Sequence, residues 1–242
     1  MARKATRSKA RRSTSKVAIK STISGTPRER IVQALLALLA EQPIERIGLA
    51  EIAERAEVSL ADLRGEFASP LAVFAAHVKE LDRKVLAEID PELDEESPRE
   101  RLFDVLMRRL ELLAPHKEAI RSLLRSTPRN PPLALALNAL SVRSQQWMLT
   151  AAGIGASGPK GMVRAQGLAL LFAHVLRTWV DDDEPGLSRT LAALDRELAR
   201  GQRFAGLLDD LLRIPQAACE FGQRVRRAAR PGRGRREDRV AM

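Results

Sequence analysis

The stretch from Glu51 to Phe67, EIAERAEVSLADLRGEF, constrains this chain more than any other. Ile52, Ala53 and Ala56 give a short amphipathic helix that stops at Glu57-Val58. Ser59 then caps a second short helix that carries Leu63 and Phe67 on its buried side. Two short helices, an apolar residue in the turn and a cap straight after it make the helix-turn-helix pattern, whose second helix suits the major groove of DNA. Double-stranded DNA is therefore the leading partner this sequence predicts.

Ser59, Ala61, Asp62, Arg64 and Gly65 are expected on the exposed side of that second helix and are the candidate base-contacting residues. The plain alternative is solvated surface. Arg64 has the fork that reads guanine from the major groove, and Asp62 can either accept from cytosine or cap a local backbone amide. Ala61 and Gly65 are small enough to let the helix approach base edges closely.

Charge decides how such a helix could be held on DNA. Net charge is +10 over 242 residues, but residues 1–20 carry eight Lys or Arg and no acid. Residues 224–239 carry eight Arg against Glu237 and Asp238, so without the two tails the remaining 25 bases and 29 acids make the body net −4. Basic arms of this kind raise affinity for phosphate backbones in a salt-dependent way. A solubilising tail or an Arg- and Ser-rich transit peptide is the competing reading. Residues 28–79 hold six bases against eight acids, so the head is a poor phosphate binder unless an arm supplies the attraction.

Period-3.6 stripes run through the chain and no stretch alternates with period two for long, which predicts an all-α fold. Residues 1–25 read as a disordered basic arm, and 26–90 as a helix-turn-helix domain with a connecting helix. Residues 97–213 read as an all-helical ligand-binding and dimerisation domain, and 214–242 as an Arg-rich tail. Thr26, Pro27 and Glu29 form a capping box ahead of Ile31, Leu35, Leu38 and Leu39, and Ser97-Pro98 starts the second unit in the same style. Asp90 to Glu96 reads as a linker, and the Gly-rich loop from Gly153 to Gly161 as a plain connection.

The lone Cys219 excludes an internal disulfide or cysteine zinc cluster and predicts a reducing compartment. No apolar run is long enough for stable membrane insertion, and no apolar core follows the basic start until Ile31. Cytoplasmic, nucleoid-associated localisation is the expectation. His77, His116 and His174 match no metal spacing; His116 is expected at the surface or as a helix cap, and His174 partly buried. Asp181, Asp182, Asp183 and Glu184 read as a solvated helix end. No acid–base pair or nucleophile set can be assembled, so the chain reads as a non-enzyme with no cofactor and no metal.

One helix, the helix-turn-helix, a long connecting helix and a larger helical unit resemble the TetR-type transcriptional regulators. The resemblance covers about residues 28–90 and is carried by Ile52-Ala53-Glu54-Arg55-Ala56, Val58-Ser59, Leu63 and Phe67-Ala68-Ser69. It implies a TetR-like fold and a homodimer on a palindromic operator. It also implies a pocket in the larger unit whose ligand releases DNA. Four positions depart from the family pattern: Glu57 where Gly is usual, Arg64 for an aromatic phosphate contact, Glu66 near a common His or Tyr, and Pro70 for a backbone-anchoring Lys. Farther along, Leu113 to Ala119, Trp179 to Asp183 and Thr190 to Arg196 resemble the lipid-binding accessory proteins of ubiquinone biosynthesis, which implies an alternative role without DNA.

Phe103, Met107, Trp147, Met148, Phe172, Val175 and Trp179 are the large apolar residues of the second unit and the candidate ligand-binding set, with ordinary core as the plain alternative. A unit so short of polar residues predicts a small hydrophobic or acyl-type effector. For the dimer, Ala165, Leu168, Ala169, Phe172 and Leu176, with Leu191, Leu194, Leu198 and Phe204, are the expected contact stripes, unless they face only the monomer's own core.

Overall fold

The computed structural model describes residues 25–88 and 96–203, and among them every regular element is helical. In chain order these are α1 (Pro27–Glu41), a 3-10 turn at Ile44–Arg46, α2 (Leu49–Arg55), α3 (Leu60–Glu66), α4 (Pro70–Ala87), α5 (Pro98–Leu113), α6 (Lys117–Ser126), α7 (Pro131–Ala151) and α8 (Gly158–Trp179). A last helix, α9, covers 188–203.

Local sequence sets most helix starts. Thr26 accepts from the amide of Glu29 while the Glu29 carboxylate accepts from the amide of Thr26, and Pro27 fills the first helical position. Ser97 and Glu100 repeat the same box at α5. These reciprocal bonds occupy amide donors that a helix start otherwise leaves bare. Pro115 does not open a loop: it lies in a 3-10 turn, Ala114–His116, that passes α5 straight into α6. The Gly-rich segment is shorter than its sequence suggests, because α8 already begins at Gly158. There a Cβ on Gly161 would stand 2.1 Å from the Ala156 carbonyl carbon, so only glycine allows the loop to fold back on the helix.

Two groups of helices share one continuous core running from Ile31 to Leu198. In the head, α1 presents Ile31, Leu35, Leu38 and Leu39, all fully buried, and packs on α2, α3 and α4. Each such side chain contributes about 1.5–3 kcal/mol. In the body, α7 packs on α4, α5 and α8. Helix α4 belongs to both groups and is one mechanical link between them; the packing of α1 on α6 is a second. The junction is also tied by hydrogen bonds: Ser126 Oγ and Asn130 Nδ2 donate to the Glu45 carboxylate at 3.1 and 3.0 Å, and Ser122 Oγ donates to the Gln42 carbonyl at 3.2 Å.

Several sequence expectations change here. His174 is exposed, with a side-chain accessibility of 59%, because it lies on the outward side of α8. His77 and His116 are neighbours despite their separation in sequence, with ring centroids 5.2 Å apart and edge to face. Asp182 is buried rather than solvated: its Oδ2 accepts from Thr190 N and Oγ1 at 2.8 and 2.7 Å and so caps α9. Lys117 Nζ reaches the Asp182 carbonyl at 2.7 Å and the Asp183 carboxylate at 2.8 Å. The expected dimer stripes face inward, since Ala165, Leu168, Ala169, Phe172, Leu194 and Leu198 are buried in the monomer's own core. Phe204 and the Arg-rich tail lie outside the described residues, as do residues 1–24 and most of the Asp90–Glu96 linker.

Candidate DNA-reading surface and ligand groove

The second helix of the helix-turn-helix is fixed at both ends. Ser59 Oγ accepts from the Asp62 amide at 3.0 Å, and Asp62 Oδ2 accepts from Ser59 N and Oγ at 3.3 and 2.7 Å. Those bonds hold the Asp62 carboxyl below the usual carboxylate range. Of its two possible roles, Asp62 is engaged as a cap. At the other end Leu63 and Phe67 are buried. Ala61, Arg64 and Gly65 are exposed, and their spacing puts them on one face of α3. No Cβ at Gly65 would meet an atom within 4 Å. Arg64 has no ion-pair partner among the described residues.

Sequence reasoning passed over Leu60, which opens α3 and exposes 57% of its surface. Its spacing from Leu63 and Phe67 suggests a buried residue, but the first turn overhangs the core. An apolar side chain at such a tip suits a thymine methyl group.

Glu57 adopts φ 52 in the turn, so the chain makes the left-handed turn without glycine. The Arg30 guanidinium donates to the Glu57 carbonyl at 3.4 Å, tying α1 to that turn. The acidic balance of the head is also softened locally. Glu41 is held by Arg55 through two bonds of 2.8 Å, which keep its carboxyl below the ordinary value. Glu66 is held by Arg28 at 2.9 Å, Glu51 accepts from Gln42 at 2.6 Å, and Glu29 and Asp62 are caps.

In the body, a groove of about 1300 Å³ opens between the start of α5, the end of α7, α8 and α9. Leu102, Leu149, Val163, Leu168, Leu171 and Leu198 form its apolar walls. The large apolar residues picked out in the sequence do not line it. Met148, Phe172, Val175 and Trp179 are buried in the core, Phe103 and Met107 are half-buried, and Trp147 is 56% exposed on α7. Bulky side chains interdigitate and fill space, whereas a void forms where smaller leucines and glycines border helix ends.

The body also holds a buried polar cluster that the sequence did not announce. Arg109 of α5 is paired with Asp82 of α4, and Ser144 Oγ of α7 donates to the same Asp82 oxygen at 2.7 Å. The Arg109 guanidinium also lies over the Phe172 ring, 5.4 Å from its centroid. Beside Ser144, Gln145 is fully buried, and neither its amide nitrogen nor its oxygen has a hydrogen-bond partner. Among the described residues no group of His, Cys, Asp and Glu is arranged to hold a metal ion, and no helix is long and apolar enough to cross a membrane.

No protein-family model and no curated protein matches the chain. Solved structures do. A TetR transcriptional regulator from Nitrosomonas europaea is similar at 22% identity and a TM-score of 0.57, over 72% of this chain and 97% of that one. A TetR-family transcriptional regulator from Streptomyces coelicolor is similar at 16% identity and a TM-score of 0.51, over 87% of this chain and 93% of that one. The fold is therefore all-α and TetR-like.

Proposed function

We propose that this protein is a DNA-binding transcriptional regulator, a repressor that a hydrophobic small molecule releases from a palindromic operator. The observation that carries the reading is the α3 surface. Ala61, Arg64 and Gly65 face outward on a helix capped by Ser59 and Asp62 and anchored by Leu63 and Phe67. Arg64 supplies base recognition, while Leu60 adds apolar contact with a thymine methyl. The basic segments at 1–20 and 224–239 supply the backbone attraction that the head lacks.

The second copy of the dimer sits against the outward side of α8. Val163 and Leu170 are 49% and 61% exposed there, with Gly167 between them. Because all three also border the groove, a partner on this face would roof the ligand site. Selection of binding sites from random duplex DNA tests the whole reading. Recovery of one palindrome, held at least a hundredfold more tightly than scrambled duplex, is the expected outcome. Equal affinity for all duplexes, with an isoprenoid lipid co-purifying, would favour the accessory lipid-binding role instead.

A further inference from the structure

The groove is apolar along its walls and cationic at its edges. Arg99, Lys160, Arg164 and Arg200 border it, with Glu197 as the one acid among its lining residues. Arg99 Nη2 is paired with Asp195 at 2.5 Å, and Arg200 Nη1 with Glu197 at 2.6 Å. Lys160 and Arg164 lie one turn apart at the start of α8, where Arg164 Nη1 also donates to the Gly155 carbonyl at 3.2 Å. Such a border favours an occupant that is apolar over most of its length and carries acids at the level of α8's first turns.

The chain itself supplies a segment of that description. Gly201 and Gln202, near the end of α9, already line the groove. The nine residues from 204 to 212 read FAGLLDDLL, with five large apolar side chains, two acids and no base. Leu194 and Leu198 are buried on the inner side of α9. Gly201, Ala205, Leu208 and Leu212 continue that side in the sequence, at alternating spacings of three and four.

Register and length agree with the same occupant. Helices α8 and α9 run antiparallel: His174 Nε2 stands 3.9 Å from the Glu197 carboxylate, and a Cβ on Gly201 would stand 3.6 Å from Leu171 Cδ1. Continued residue for residue, this register brings Phe204 to the level of Gly167, Leu208 to that of Val163 and Leu212 to that of Pro159. Gly167, Val163 and Pro159 all line the groove. Asp209 and Asp210 come to levels between Lys160 and Arg164. Nine helical residues rise about 13 Å, and Gly167 to Pro159 spans about 12 Å of α8.

We propose that residues 204–212 of this chain seat in the groove against α8, with Leu208 and Leu212 on its apolar walls and Asp209 and Asp210 facing Lys160 and Arg164. Four cations are then matched by four acids: Asp195, Glu197, Asp209 and Asp210. Joined to α9 at the groove's edge, the segment meets its seat at an effective concentration on the order of millimolar. A hydrophobic effector of the kind proposed above gains the groove by displacing it. The seating itself does not depend on α3 recognising DNA.

Two measurements on the full chain test this. With Cys219 replaced by serine, Val163→Cys and Leu208→Cys should close a disulfide within one chain when oxidised glutathione is added, giving monomer mass and no free thiol. A disulfide-linked dimer would assign the groove to a second copy, and two persistent thiols would leave the segment elsewhere; either overturns the proposal. The second measurement is the emission of 1-anilinonaphthalene-8-sulfonate, a dye that brightens in open apolar clefts. Asp209→Lys with Asp210→Lys should raise it several-fold over the wild-type chain, and Lys160→Glu with Arg164→Glu alone should raise it too. All four changes together should return it to the wild-type level, since the charges again match. Emission that does not rise in either charge-reversed pair overturns the proposal.

Discussion

Arg28, in the first turn of α1, holds Glu66 at the far end of α3: its Nη1 donates to the Glu66 carboxylate at 2.9 Å, and its guanidinium carbon lies 4.6 Å from the centroid of the Phe67 ring. One side chain thus positions the recognition helix and balances the acid that would most repel a phosphate. Both partners are partly exposed, so the pair adds at most about 1 kcal/mol to stability. Its larger effect is expected on DNA. Arg28→Ala should weaken operator binding several-fold by baring Glu66, and Glu66→Gln should strengthen it. The double variant should recover most of the loss. Fluorescence anisotropy on the selected operator at two salt concentrations checks the cycle.

Arg64 and the basic arm should fail in different ways. Arg64→Ala removes a base contact, which costs about 1–3 kcal/mol on the operator and relaxes preference at one position, with little change for scrambled duplex. Removing residues 1–24, with their eight cations, should weaken binding to every duplex and flatten the dependence on salt. If the truncated chain keeps the same salt slope, the arm does not touch phosphate.

The contrast between head and body reflects how far apart the interacting residues lie. Thr26 with Glu29 and Ser59 with Asp62 are three positions apart, so helix starts and the helix-turn-helix are legible in the sequence alone. The exposed face of α3 follows from helical periodicity. Asp82 and Arg109 are not legible in that way. They stand on different helices, and only the packing of α4 on α5 makes one the partner of the other. His77 with His116 and Asp182 with Thr190 are similar cases. The groove is harder still, because a void is defined by what neighbouring helices fail to fill. Large apolar residues point to the densest packing, which is why Phe172 and Trp179 lie in the core and Leu102 and Leu149 line the groove.

Glu57 offers a test of backbone strain. At φ 52 it occupies a region that costs a residue with a Cβ about 1 kcal/mol. Its side chain is exposed, so little packing is lost on its removal. Glu57→Gly should raise the urea midpoint by an amount equivalent to roughly 1 kcal/mol or less, the entropy of the unfolded glycine offsetting part of the gain. It also removes one acid from the head and should strengthen DNA binding slightly.

His77 makes stability depend on pH. Burial lowers its pKa from 6.5 to about 4, with the His116, Arg109 and Lys84 charges adding to the effect. The folded protein therefore binds fewer protons at this site than the unfolded chain. Its contribution to stability is complete above about pH 6.5 and is lost as pH falls through the interval to 4. The full difference is on the order of 3 kcal/mol. His116 is lowered too, mainly by its own burial, and acts in the same direction. Denaturant unfolding between pH 7.5 and 4.5 should show a smaller loss of stability in His77→Phe than in the wild-type protein.

The Asp82–Arg109 pair ties α4, the helix shared by head and body, to α5, and Ser144 extends the tie to α7. Both charged groups are almost fully buried, so the pair is not itself a strong source of stability: desolvation offsets most of the attraction. Breaking it from one side is a different matter. Asp82→Ala leaves a guanidinium buried without its counter-charge and should cost about 3–5 kcal/mol. Asp82→Leu with Arg109→Met removes both charges and fills similar volume, so it should unfold at nearly the wild-type denaturant concentration. The two variants separate stability from coupling. If α4 passes a signal from the body to the head, the apolar double variant should fold and bind DNA, and its operator affinity should no longer respond to a ligand bound in the groove. An unaltered response in that variant would mean that the signal reaches the head another way, with the packing of α1 on α6 and the Glu45 contacts to Ser126 and Asn130 beside it as the other bridge between the two groups of helices.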